Sequence, residues 1–126
     1  MKYKYSVITA LEKSLKELMD AGEKIPIRSC LKINRDIDKL QSTLAPYYKT
    51  RDKIISDYSN GTGTVNQGDE NWDACVKDTT ELDNEEIEIY LEKVNLTDLD
   101  KISLSLSTVR GLTPIINDEK DGDGNG

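Results

Sequence analysis

The residues best placed to do chemistry in this chain are carboxylates. The last six positions read Asp121-Gly-Asp123-Gly-Asn125-Gly126. That spacing matches the first, third, fifth and sixth places of a calcium loop, where alternating side-chain oxygens ligate the ion and the sixth-place glycine permits a sharp turn. Such a loop is closed by a bidentate glutamate and followed by a helix; the sequence supplies neither after Gly126. A solvated, mobile tail over 117–126 is therefore expected. A second set of carboxylates comprises Asp69, Glu70, Asp73, Asp78, Glu81, Asp83, Glu85, Glu86, Glu88 and Glu92, with Asp98 and Asp100 beyond. Glycoside hydrolysis would need two of them at a set separation across a sugar cleft, and the pattern indicates no cleft. They read either as a solvated face or as a phosphate-like surface for a basic partner.

The cations offer less. Arg28, Arg51 and Arg110 are isolated in sequence. Arginine matches phosphate geometry, so they could hold an anionic, nucleotide-type ligand if they converge in one pocket. Lys49, Arg51 and Lys53 beside Tyr47 and Tyr48 resemble a stacking-plus-cation patch, but an exposed helix face with its rings turned inward is expected. Gly61-Thr-Gly63 lacks the Gly-Lys-Ser/Thr ending of a phosphate cradle.

What is missing excludes more. The chain has no histidine, which removes Ser-His-Asp triads, Cys-His pairs, imidazole metal ligands and the commonest general base. Cys30 and Cys75 form no CxxC pair, so no zinc site is expected, and two free thiols in a reducing compartment are. No cofactor and no catalytic group is expected. Residues 1–58 carry 12 basic and 8 acidic side chains, whereas residues 59–126 carry 5 and 16. A net charge of −7 would repel nucleic acid from most faces. The polarity suits self-association or a basic protein partner. No apolar run is long enough to span a bilayer, and the start, Met1-Lys2-Tyr3-Lys4-Tyr5, has no signal-peptide core. The glycosylation-like Asn60-Gly-Thr62 and Asn95-Leu-Thr97 are read as chance.

These residues must be positioned by a chain of 126 residues, enough for one core. Val7, Ile8, Leu11, Leu15, Leu18 and Met19 recur at helical spacing behind Ser6, with Glu12, Lys13, Lys16, Glu17 and Asp20 largely opposite. A helix over 6–21 follows, capped by Ser6 and stopped by a left-handed Gly22. Ile25-Pro26-Ile27 reads as an extended connector. Ile33, Ile37, Leu40 and Leu44 then form a seam continuing to Tyr58. Pro46 inside it predicts one kinked helix over 29–58 or two helices meeting near Ala45. The glycine- and asparagine-rich segment 59–68 is a loop. Trp72, Cys75, Val76 and Leu82 suggest a short helix over 69–81. Alternation of Ile87, Ile89 and Leu91 with Glu86, Glu88, Tyr90 and Glu92 predicts a half-buried strand. A second strand to about Leu104 and then a helical turn ending at Gly111 or before Pro114 complete the pattern; in the competing reading, Ser105 or Ser107 caps a short helix. The expected fold is mainly helical α+β: an N-terminal antiparallel helical hairpin with a small C-terminal antiparallel β element, forming one domain over 1–116.

Two segments also carry a resemblance. ALEKSLKELMDAGEKIPIRSCLKINRDIDKL at one end and IEIYLEKVNLTDLDKISLSLSTVRGLTPII at the other resemble a family of small proteins encoded by tailed bacteriophages. The resemblance covers roughly 60 residues and carries no catalytic signature. It implies a phage or prophage product acting in the bacterial cytoplasm or during virion assembly. With the charge layout, the leading expectation is a non-enzymatic accessory protein. It would bind and block a host protein with a basic surface through the carboxylates of residues 69–92, and it would contact neither nucleic acid nor membrane. A sponge for an anionic ligand held by Arg28, Arg51 and Arg110, and a virion assembly protein that forms homo-oligomers through its helical hairpin, are the alternatives.

Overall fold

The structure, a computed structural model, describes residues 1–117; the calcium-like motif lies outside the described residues. Four helices carry the fold: α1 (Tyr5–Met19), α2 (Ile27–Tyr58), α3 (Trp72–Asn84) and α4 (Leu106–Gly111). Four short strands join them: β1 (Lys2–Lys4), β2 (Glu86–Glu88), β3 (Val94–Asn95) and β4 (Ile116–Asn117). The fold is thus mainly helical α+β, with a helical N-terminal region.

α1 buries Ile8, Leu11, Leu15 and Leu18, the stripe its spacing predicts. It starts a residue early, because the Tyr5 N–H is already satisfied by the Glu85 carbonyl at 3.0 Å. Ser6 therefore lies inside the helix and is not its cap; Lys4 holds the N-cap position without a side-chain bond. Gly22 does not stop the helix in a left-handed conformation either, since among the described residues the glycines with positive φ are Gly61, Gly63 and Gly68. The chain tightens instead into a 3-10 turn at Gly22–Lys24. Ile25 and Pro26 are extended as expected, and Ile27 begins α2.

α2 is one continuous helix that passes through Pro46. Interior proline costs ~3 kcal/mol or more and deprives the carbonyl four residues earlier of its partner. Here Pro46 and Ser42 both face solvent, where water can serve that carbonyl. The other face buries Ile33, Leu40, Leu44 and Tyr47. Tyr5, at the start of α1, stacks on Tyr47 with ring centroids 4.9 Å apart. The Cys30 thiol near the start of α2 meets the Gly22 and Ile25 carbonyls at 3.5 and 3.6 Å. The two helices therefore run antiparallel.

Past α2 the chain loops through 59–71, held at both ends. The Asn71 side-chain amide donates to the Tyr58 carbonyl at 3.1 Å, and the Tyr58 hydroxyl donates to Asp78 at 2.6 Å. α3 then buries Cys75 and Leu82 and leaves Val76 outside. The alternation after it holds: Ile89 is buried, Ile87 and Leu91 are half-buried, and Glu86, Glu88 and Tyr90 are exposed. Its partner is the N-terminus. β1 and β2 pair antiparallel, Lys2 opposite Glu88, Tyr3 opposite Ile87 and Lys4 opposite Glu86.

The segment before α4 is not a strand. Residues 102–105 are irregular, although Ile102 and Leu104 still turn inward. Ser105 caps α4, accepting the Thr108 N–H at 3.2 Å, so the capped-helix reading prevails from that residue on. Asn117 does not belong to a free tail, because β4 pairs in parallel with β3 and the Asn117 amide donates to the Asn95 side chain at 3.0 Å. The C-terminal β element is thus parallel, and the antiparallel one is closed by β1. One core joins α1 and α2 with Leu82, Ile89, Val94, Leu99, Leu112 and Ile115.

Candidate functional site

The carboxylates singled out from the sequence divide into two groups. Four are engaged by the fold. Glu88 accepts from the N-terminal amine at 2.8 Å, and that hydrogen bond holds its carboxyl below the usual range. Glu92 is forked by the Arg35 guanidinium, with one contact at 2.8 Å, and its carboxyl is lowered by that bond. Asp78 takes the Tyr58 hydroxyl and Asp83 takes that of Tyr47. Burial and the Asp83 bond push Tyr47 up to about 12, and burial with a bond to Glu12 does the same to Tyr48. Two more are partly occupied: Asp69 accepts the Asn66 N–H at 2.8 Å, and the sheet register places Glu86 opposite Lys4.

Glu70, Asp73, Glu81 and Glu85 remain. All are exposed, and their carboxylates have no hydrogen-bond or ion-pair partner among the described residues. Asp73 and Glu81 lie two helical turns apart on α3, with Lys77 between them and Glu70 and Glu85 just beyond the two helix ends. Asp73 occupies the first turn, where a carboxylate complements the helix dipole. The broad surface expected over 69–92 therefore contracts to the outer side of α3 and its flanks.

The arginines do not converge within the chain. Arg28 and Arg51 lie on one helix, about 35 Å apart at the α-helical rise. Arg51 lines a cleft with Trp72 and Val76, whereas Arg110 lines a groove between α1 and α4. A single pocket built from all three is ruled out by α2 itself. Lys49, Arg51 and Lys53 are exposed with Tyr47 turned inward, while Tyr48 stays 40% exposed. Among the described residues, no three acidic or cysteine side chains converge to hold a metal ion, and Cys30 and Cys75 are free. Among the described residues, no helix is long and apolar enough to cross a membrane.

Sequence reasoning missed two features. The first is a row of α2 side chains clamping the segment after β2. Lys39 Nζ donates to the Tyr90 carbonyl at 2.6 Å, Asp36 Oδ1 accepts the Glu92 N–H at 2.8 Å, and Lys32 Nζ reaches the Lys93 carbonyl at 3.4 Å. Asp36 has no exposed surface, and its Oδ2 has no partner among the described residues. Burial raises its carboxyl to about 6 against the pull of the Glu92 N–H; the Glu92 charge adds to the rise, and Lys39 and Arg35 oppose it. Only its place between Ile33 and Leu40 on the seam could have signalled this. The second feature is the α1–α4 groove of about 740 Å³, lined by Tyr3, Val7, Ala10 and Pro114 with Lys93 and Arg110. The sequence placed Val7 on the inward stripe, but it is 38% exposed. Glu12, expected on the solvated side, is buried and accepts from the Tyr48 hydroxyl at 2.8 Å.

Comparison of the chain with protein-family models, with curated proteins and with solved structures finds no match.

Proposed function

We propose that this chain is a non-enzymatic binding protein that docks on a basic surface of a partner protein through the outer side of α3. One observation carries the reading. Glu70, Asp73, Glu81 and Glu85 are exposed carboxylates with no partner among the described residues, while Asp78, Asp83, Glu88 and Glu92 beside them are all occupied within the fold. Carboxylates exposed along α3 and at its ends carry negative charge that the fold does not compensate, and a cationic surface complements it and speeds encounter. The resemblance of both ends to small tailed-phage proteins makes a bacterial host protein in the cytoplasm the partner class. Blocking that protein's own ligand site is the expected consequence.

The test compares proteins captured from bacterial lysate by the wild type and by two variants. One carries Glu70→Gln, Asp73→Asn, Glu81→Gln and Glu85→Gln; the other removes charge elsewhere, with Glu23→Gln and Asp52→Asn. A partner held by the wild type and the second variant, lost by the first and weakened by added salt, is the expected outcome. Identical capture by all three chains overturns the proposal.

A further inference from the structure

We propose that the groove between α1 and α4 binds a small amphiphilic monoanion, an apolar body carrying one carboxylate-type head. Tyr3 of β1, Val7 and Ala10 of α1, and Pro114 give an apolar wall, Lys93 and Arg110 supply the charge, and among the described residues no acidic side chain lines the groove. Its volume of about 740 Å³ falls in the range of small-molecule sites, ~300–1,000 Å³.

Charge sets the occupant. The Lys93 ammonium and the Arg110 guanidinium have no hydrogen-bond or ion-pair partner among the described residues, although the chain carries −7 overall. Some other cations of the fold are taken up, Arg35 by Glu92, Lys53 by Asp57 and Lys39 by a carbonyl, whereas Lys93 and Arg110 are the cationic side chains of this groove's lining. Two unpartnered cations over an apolar wall complement a head that is negative and a body that is not. A large acidic macromolecule is disfavoured, because the field of the whole chain would repel it; a single negative charge meets little of that repulsion. Val7 also gains an explanation: it belongs to the helical pattern of α1 yet remains 38% exposed at the groove, an apolar surface whose burial a ligand would complete. This site is separate from the α3 carboxylates, so either proposal can fail alone.

Decanoate, used below its micelle concentration, is the probe, with decanol and decyltrimethylammonium as head-group controls. Amide chemical shifts and calorimetry should show saturable decanoate binding, with perturbations centred on Val7, Ala10 and Gly111. Decanol should bind about tenfold more weakly or worse, the cationic control more weakly still, and Arg110→Gln should cost about tenfold in affinity. Ala10→Leu, which fills the groove without touching a cation, should abolish binding while the far-UV spectrum stays that of the wild type. Indifference to head-group charge, shifts centred elsewhere, no saturable binding, or an unchanged affinity in Arg110→Gln would each overturn the assignment. So would groove shifts that change on dilution without any probe, since a second copy of the chain would then be the occupant.

Discussion

Asp36 is a carboxylate in a position that the seam of α2 reserves for aliphatic side chains. It has no exposed surface, spends one oxygen on the Glu92 N–H, and leaves the other without a partner among the described residues. Burial disfavours the charged form, so its carboxyl rises from 3.8 to about 6. The folded state therefore holds this proton more tightly than the unfolded chain does. The stabilising contribution is present in full below about 4 and is lost as pH rises through about 6, an effect of roughly 1–3 kcal/mol. Urea unfolding of the wild type at pH 7.5 and pH 5 should show greater stability at the lower value. Asp36→Asn keeps an acceptor for the Glu92 N–H but cannot ionise, and should erase that difference. Asp36→Ala strands the N–H and should cost roughly 1–3 kcal/mol at both values. A wild-type pH dependence that survives in Asp36→Asn would place the titration on another group.

At the scale of elements, α4 is docked on α1 by the absence of a side chain. A Cβ on Gly111 would lie 2.1 Å from the Ser14 Oγ and 2.9 Å from the Ala10 carbonyl oxygen. The Thr108 hydroxyl donates to the Glu17 carboxylate and pins the next turn. Gly111→Ala would raise helix propensity by about 1 kcal/mol, but overpacking of this kind costs ~1–3 kcal/mol. The contacted carbonyl belongs to the backbone of α1 and cannot swing aside, so the variant should be net destabilised in thermal unfolding. Adding Ser14→Ala should recover part of the loss and not all of it; strict additivity would mean that the two residues do not meet. The sequence held this position only as the end of a helical turn, because spacing reveals which way a helix faces but not how near its neighbour comes. For the same reason the stripes of α1 and α2 and the alternation around Ile89 were legible, each being a local period. The partner of β2 was not, because three residues at the N-terminus show no period and pair with residues more than eighty positions away. Nor was the split of the acidic set, since a carboxylate that takes a tyrosine hydroxyl reads like one that faces water.

At the scale of the whole molecule, the basic and acidic halves of the sequence are not separate bodies. β1 lies on β2, α4 packs on α1, and α2 holds the chain from Tyr90 to Lys93 through Lys39, Asp36, Arg35 and Lys32. The exposed ion pairs in this arrangement contribute little each. The shared core is what binds the halves: Ile8, Leu15, Ile33 and Leu40 from one, Val94, Leu112 and Ile115 from the other, all essentially without exposed surface. Removing either half would uncover the other, so neither has a stable state to fall back on, and a chain of this size should unfold in a single cooperative step. Two built-in probes report on different halves. Trp72 is the only tryptophan and begins α3, while the far-UV helical signal comes mostly from α1 and α2. Tryptophan fluorescence and far-UV circular dichroism should give the same urea midpoint, and 0.5 M salt should move both together and only slightly. Loss of the Trp72 signal at a lower urea concentration than the helical signal would mean that α3 and its carboxylates detach from a surviving hairpin. The docking face proposed on α3 would then not be held by the core at all.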